Sequence, residues 1–202
     1  MYKIKKRKLI FQNQVYKVYS NYIKSKTINI KDYLSIEVKG KVYGGVSCIL
    51  INKGRVGLMK SYSPIAKKDF FSLPQGFTNS NENIKIAVIR EVLEETGINL
   101  KKQNLKKLCE FYPIQSLIKT KLAIFFSRIK INNKNFSKNV VDEIGVGKLI
   151  FFEAAKLKKM LKKSNNFDLI SYSALCYYLF LESNCFKPSL TLSSKSILSY
   201  II

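Results

Sequence analysis

Glu82, Glu91, Glu94 and Glu95 crowd into one short stretch of a 202-residue chain that holds only 13 acidic residues and carries a formal net charge of +23. Even scatter would place about one acidic residue in a window of that length, so the clustering calls for a cause. A helix turns about 100° per residue, and Glu91, Glu94 and Glu95, at i, i+3 and i+4, therefore share one stripe of its surface. Three anions held that close repel one another. Their neighbours Ile86, Val88, Ile89, Val92 and Leu93 are apolar, which implies a helix packed around much of its circumference and a carboxylate stripe lining a cleft. A hard divalent cation with oxygen ligands, magnesium or manganese, would neutralise such a stripe. The chain has no histidine, so imidazole relays and bases are excluded and hydrolytic chemistry falls to carboxylates, lysines, tyrosines or a metal. Cys48, Cys109, Cys176 and Cys185 are scattered without a CxxC pair, which argues against zinc.

The elements that must carry these residues follow from periodicity. Helical spacing runs from Asn83 to Thr96, with Ser80 or Asn81 available as the N-cap and Gly97 placed to end the helix. Alternating runs at 8–11, 15–19 and 33–38 predict strands before it, and 45–51 with 56–59 predict a hairpin about Asn52-Lys53-Gly54. A loop is expected through Pro64 and Asp69. Strands are expected at 105–112, 122–131 and 149–152, an Asn- and Lys-rich loop at 132–139, and closing helices at 154–162 and 168–181. Strands mixed with helices on both sides give an α+β chain built as an α/β/α sandwich.

Composition sets further bounds. The length suits one substantial domain with a real core. No apolar run reaches the roughly 18 to 20 residues of a membrane span, and the basic N-terminus lacks the apolar stretch of a secretion signal; a cytoplasmic location is expected. The positive charge is overwhelmingly lysine and spread along the chain, which predicts a solvated basic exterior, with a polyanion-binding surface as the alternative.

The stretch from Gly76 to Ile98 resembles the Nudix box, Gly-x5-Glu-x7-Arg-Glu-U-x-Glu-Glu-x-Gly-U with U aliphatic: Gly76, Glu82, Arg90, Glu91, Val92, Glu94, Glu95, Gly97 and Ile98 occupy all nine specified positions. The resemblance implies a Nudix fold with a mixed sheet and a Mg2+- or Mn2+-dependent hydrolase of nucleoside diphosphates linked to another group. It implies that Gly76 brings the backbone close to the metal and that Glu91 and Glu95, the carbonyl of Gln75, and Glu94 as ligand or proton acceptor make the site. Arg90 would pair with Glu94 or Glu82 and hold the box in shape. Beyond the box, the chain is similar to the ADP-ribose and nucleotide-sugar pyrophosphatase branch. Residues 1–43 would then be a strand extension for dimerisation and substrate contact, 44–185 the hydrolase domain and 186–202 an unassigned tail, in a homodimer. Of the acidic pair Asp142 and Glu143, the latter is the favoured assistant in catalysis. Where the branch often carries Tyr-Arg-x-Pro, this chain has Ser61-Tyr62-Ser63-Pro64; Lys60, Lys67 or Lys68 would have to replace the lost guanidinium, and Tyr62 and Phe71 are candidates to stack on a base. Removal of pyrophosphate from RNA 5′ ends, or cleavage of dinucleoside polyphosphates, is the second activity considered. A non-catalytic nucleotide-binding module is the third possibility.

Overall fold

The computed structural model describes residues 1–38, 42–131, 147–163 and 166–184. Its centre is a mixed sheet whose middle strand, β4 (Tyr43–Asn52), is buried along nearly its whole length. Alternate side chains of β4 enter opposite layers: Ile49 and Ile51 pack with one core cluster, and Val46, Cys48 and Leu50 with another. This is why the segment is a continuous apolar run rather than an alternating one, as expected of a strand covered on both faces. On one face lies helix α1 (Ile84–Thr96), which contributes Ala87, Val88 and Val92. On the other lie α2 (Ala154–Lys163) and α3 (Leu169–Asn184), contributing Leu157, Leu161, Ala174 and Leu175. The α/β/α sandwich expected from the alternation of elements is the architecture observed.

The sheet order is β10-β5-β4-β9-β8, with β5 at Arg55–Ser63, β8 at Leu105–Phe111, β9 at Lys121–Ile129 and β10 at Lys148–Phe152. β4 pairs with β9 in parallel and with β5 antiparallel. The β4–β5 pairing extends only over Leu50–Asn52 against Arg55–Gly57, after which the strands splay. Into the opening come β6 (Lys68–Ser72), paired with β5, and β7 (Gln75–Phe77), paired with β4 at Gly45–Ser47. The expected loop through Pro64 and Asp69 is thus only a tight connection, closed by Lys67 at a positive φ of 54°. Its downstream half is drawn into a strand by the unpaired edge of β5, a tertiary contact with no local signature.

β1 (Lys3–Gln12), β2 (Tyr16–Lys24) and β3 (Asn29–Val38) form a separate antiparallel sheet. β3 is tied to the main domain by Ile36, whose N–H donates to Leu117 O (2.7 Å) and whose carbonyl accepts from Lys119 N–H (3.0 Å). Arg7 reaches Glu37 at 2.8 Å and lies 3.5 Å from the Tyr19 ring centroid. Lys119 approaches the same carboxylate at 2.9 Å. Burial raises the Glu37 pKa, but the hydrogen bonds from Lys119 and Arg7 outweigh it and leave the group below its ordinary value. No helix among the described residues is long and apolar enough to cross a membrane.

Candidate active site

Helix α1 begins one turn later than Ser80 or Asn81 would allow. Asn81 takes a positive φ of 61° in the preceding turn, and the cap is Asn83, whose side chain accepts from Lys85 N–H at 2.9 Å. Gly97 closes the helix in the left-handed region at φ 69°, where a side chain would be strained. Between these ends the apolar face meets the sheet, and Glu91 and Glu95 are carried round to face β7.

Two contacts fix the relation between helix and loop. Glu95 accepts a hydrogen bond from the backbone N–H of Gln75 at 3.1 Å. The Glu91 carboxylate lies over Gly76 so closely that a Cβ there would sit 2.1 Å from Glu91 Oε2. Only glycine leaves room for that carboxylate. The loop itself is stitched to β4, because Pro74 O accepts from Cys48 N–H at 2.9 Å and from the Ser47 hydroxyl at 3.3 Å.

Arg90 organises the remaining carboxylates. Its Nε donates to Glu82 Oε1 at 3.0 Å and its Nη2 to Glu82 Oε2 at 3.0 Å, while Nη1 donates to Glu91 at 2.7 Å and Glu94 at 2.9 Å. Nη2 also reaches the Phe77 carbonyl at 2.8 Å. These bonds, foremost those to Glu82, raise the guanidinium pKa above its ordinary value against an opposing effect of burial. The glutamates separate by exposure: the side chains of Glu82 and Glu91 retain 11% and 12% of their accessible surface, whereas Glu94 retains 38%. Glu82 is consumed by structure, since it also accepts from Asn79 N–H at 2.7 Å. Of the three carboxylates that Arg90 holds, Glu94 is the most open to solvent. Lysine has no planar fork to serve three carboxylates at once, so Arg90→Lys is expected to destabilise the fold by about 2 kcal/mol, measured as a shift in the urea midpoint.

Among the described residues no group of three acidic or cysteine side chains stands close enough together to enclose a metal ion. The donor chemistry nevertheless fits one: Glu91 and Glu95 contact the β7 backbone, which Gly76 keeps bare, and the donors are all oxygen, as hard divalent cations prefer.

An apolar cleft of about 340 Å³ is lined by Gln75 and Gly76 of β7. Its walls come from both sheets: Tyr16 and Val38 from the N-terminal one, and Phe77, Thr120, Lys121 and Leu122 from the main domain. Tyr16 meets Phe77 edge-on, with ring centroids 5.8 Å apart at 81°, and burial raises its phenol pKa. Lys121 is held at 2.8 Å by Glu110. Glu110 also bonds Lys107 and, at 2.5 Å, Tyr43; Lys107 foremost, then Lys121 and Tyr43, lower its pKa to about 2.

Lys60, Tyr62 and Phe71, the substrate contacts expected from sequence, do not line this cleft. Lys60 is paired with Asp69 at 2.9 Å, Tyr62 is exposed on β5, and Phe71 packs edge-on against Phe152 at 5.5 Å and beside Phe167 at 6.0 Å. The formation of β6 accounts for the position of Phe71, since pairing with β5 packs it against the core cluster that includes α3. Tyr16, Thr120 and Lys121 went unnoticed because nothing local marks them; they meet the box only through the packing of one sheet on another. Asp142 and Glu143 lie outside the described residues.

A family model described as NUDIX domain matches residues 43–166, and the chain belongs to that family. Its class is that of the Nudix pyrophosphohydrolases, enzymes that generally employ divalent metal ions. More particularly, its fold is similar to that of a solved structure titled "Crystal structure of ADP compounds hydrolase", with a TM-score of 0.72 at 17% identity over 90% of this chain and 95% of that one. No curated protein sequence matches the chain.

Proposed function

We propose that the chain hydrolyses a nucleoside diphosphate linked to a second group, with ADP-ribose or a nucleotide sugar as substrate, releasing a nucleoside monophosphate and a sugar phosphate. The observation that carries this proposal is the apolar cleft lined by Gln75 and Gly76 of β7, the strand that Glu91 and Glu95 contact. Its volume of about 340 Å³ is within the range of small-molecule sites. The hydrolysis of ADP compounds named in the structural neighbour's title supports the same substrate class.

Glu91, Glu95, Glu94 and the carbonyl of Gln75 would hold Mg2+ or Mn2+. When bound, such an ion offsets charge on the diphosphate and acidifies an attacking water. Glu94, whose side chain retains 38% of its accessible surface, accepts the proton. Arg90 keeps Glu91 and Glu94 in register through one shared nitrogen. Glu143 assists as an acid or base in this scheme. Tyr16 and the apolar wall receive the nucleoside, and Lys121 faces its phosphate side.

A homodimer through residues 1–43 is part of this reading, and it is supported by β1, which is exposed along its whole length and carries Ile4, Leu9, Ile10 and Phe11 at the surface. A cytoplasmic setting suits the free thiols of Cys48, Cys109 and Cys176. The net charge of +23 favours, as a second activity, cleavage of RNA 5′ ends or dinucleoside polyphosphates. The test is mass spectrometry of products from ADP-ribose, nucleotide sugars, diadenosine polyphosphates and triphosphorylated RNA with magnesium or manganese. Turnover of the first two is the expected result. Turnover confined to the last two overturns the substrate class, and binding without any turnover identifies a non-catalytic module.

A further inference from the structure

The Gln75 side chain ends in a buried carbonyl oxygen, Oε1, that has no hydrogen-bond partner. Such an acceptor costs stability unless something else satisfies it. The rest of the residue is already engaged: its N–H donates to Glu95, and in the β4–β7 ladder it stands opposite Ser47. The backbone therefore holds the strand, and the residue is one of those that line the cleft, with its amide oxygen buried beside it. Nothing in the fold as described uses that oxygen.

We infer that Gln75 is a specificity-determining residue whose Oε1 accepts a hydrogen bond from a hydroxyl group of the sugar that adjoins the diphosphate. The inference rests on the function proposed above. An amide oxygen can pair only with a donor, and a diphosphate at neutral pH offers acceptors alone. A glutamine side chain extends only about 5 Å from its Cα, and this Cα neighbours Gly76, where the Glu91 carboxylate lies. A group attached directly to the diphosphate is therefore within reach, whereas a base further along the cleft meets Tyr16, Val38 and Leu122. The first donors on such a substrate are the ribose or hexose hydroxyls. A site that leaves its own acceptor buried and unpaired without the correct ligand discriminates strongly against an analogue lacking the donor.

The experiment crosses two protein variants with a substrate series. Wild type, Gln75→Met and Gln75→Glu are assayed on ADP-ribose and on analogues lacking one hydroxyl at a time, on either ribose. In the wild type, loss of the recognised hydroxyl should lower kcat/KM roughly 10- to 100-fold. Methionine fills the space without an acceptor and retains the backbone carbonyl, so with Gln75→Met the same pair of substrates should agree within about threefold. Glutamate keeps an acceptor at the same reach, and the ratio should persist whatever its extra charge does to the overall rate. A merely structural role for Gln75 would lower all rates together and leave the ratio untouched. Persistence of the wild-type ratio in Gln75→Met, or the absence of any hydroxyl dependence in the wild type, overturns the inference while the proposed function stands. Failure of the wild type to cleave or bind any member of the series overturns the proposed function itself.

Discussion

Glutamine in place of Glu94 or Glu95 is expected to lower turnover by about 10² to 10⁴-fold, the usual range for removal of a positioned acid or base, while the protein keeps its fold. Each substitution removes a charge and leaves the volume unchanged. Glu94 loses only its 2.9 Å contact with Arg90, which the guanidinium's other partners make dispensable. At Glu95 an amide oxygen can still accept from Gln75 N–H, although the bond is no longer charge-assisted. What is lost is negative charge, at Glu95 beside the Gln75 backbone and at Glu94 beside Arg90. Thermal melting with and without manganese gives an independent check: the metal should raise the wild-type midpoint by mass action and raise that of Glu95→Gln much less. Near-normal turnover by either variant would show that the carboxylates are misassigned.

Gly76→Ala should separate activity from stability still more sharply. The new methyl would lie 2.1 Å from Glu91 Oε2 and 2.2 Å from its Cδ, both at the far end of a flexible side chain. Gly76 is not among the positive-φ residues, so alanine meets no backbone strain there. The inexpensive relaxation is for the Glu91 carboxylate to swing aside, which also breaks its 2.7 Å contact with Arg90. We therefore expect a destabilisation of about 1 kcal/mol with at least a 100-fold fall in kcat/KM, because small misplacements in a reacting constellation cost rate steeply. Equilibrium urea unfolding and steady-state kinetics on the same preparation measure both. A variant that unfolds but, when folded, turns over normally would mean that Glu91 does not act from above Gly76.

Arg90 connects these expectations. Its guanidinium pairs with Glu82, Glu91 and Glu94, which makes the acidic cluster tolerable within the fold. Glu82 keeps the guanidinium anchored throughout, through two bonds at 3.0 Å.

The box was legible in the sequence because helical geometry alone determines its internal relations. Glu91, Glu94 and Glu95 share a face at their spacing whatever surrounds them, and Gly97 ends the helix through its own backbone freedom. The buried strand β4 was equally plain, since a run covered on both faces must be apolar throughout. Elements of weaker local character were less so. β6 forms against the splayed edge of β5, and the N-cap fell on Asn83 because the turn before it places Asn81 in the left-handed region.

By itself the sequence determined the carboxylate ridge, through spacing within one helix, the layered α/β/α order, through periodicity, and, through the resemblance to the Nudix box, the glycine before the ridge and the family. Tertiary structure alone decided which surface the ridge looks upon. Pairing of β6 with β5 took Phe71 into the core, and the docking of β3 through Ile36 brought Tyr16 and Val38 opposite Gln75. The cleft's far wall is assembled from segments distant along the chain, and distance along the chain carries no periodic signal. Short-range geometry writes itself into residue spacing, whereas contact between separate sheets depends on shapes that exist only once both have folded.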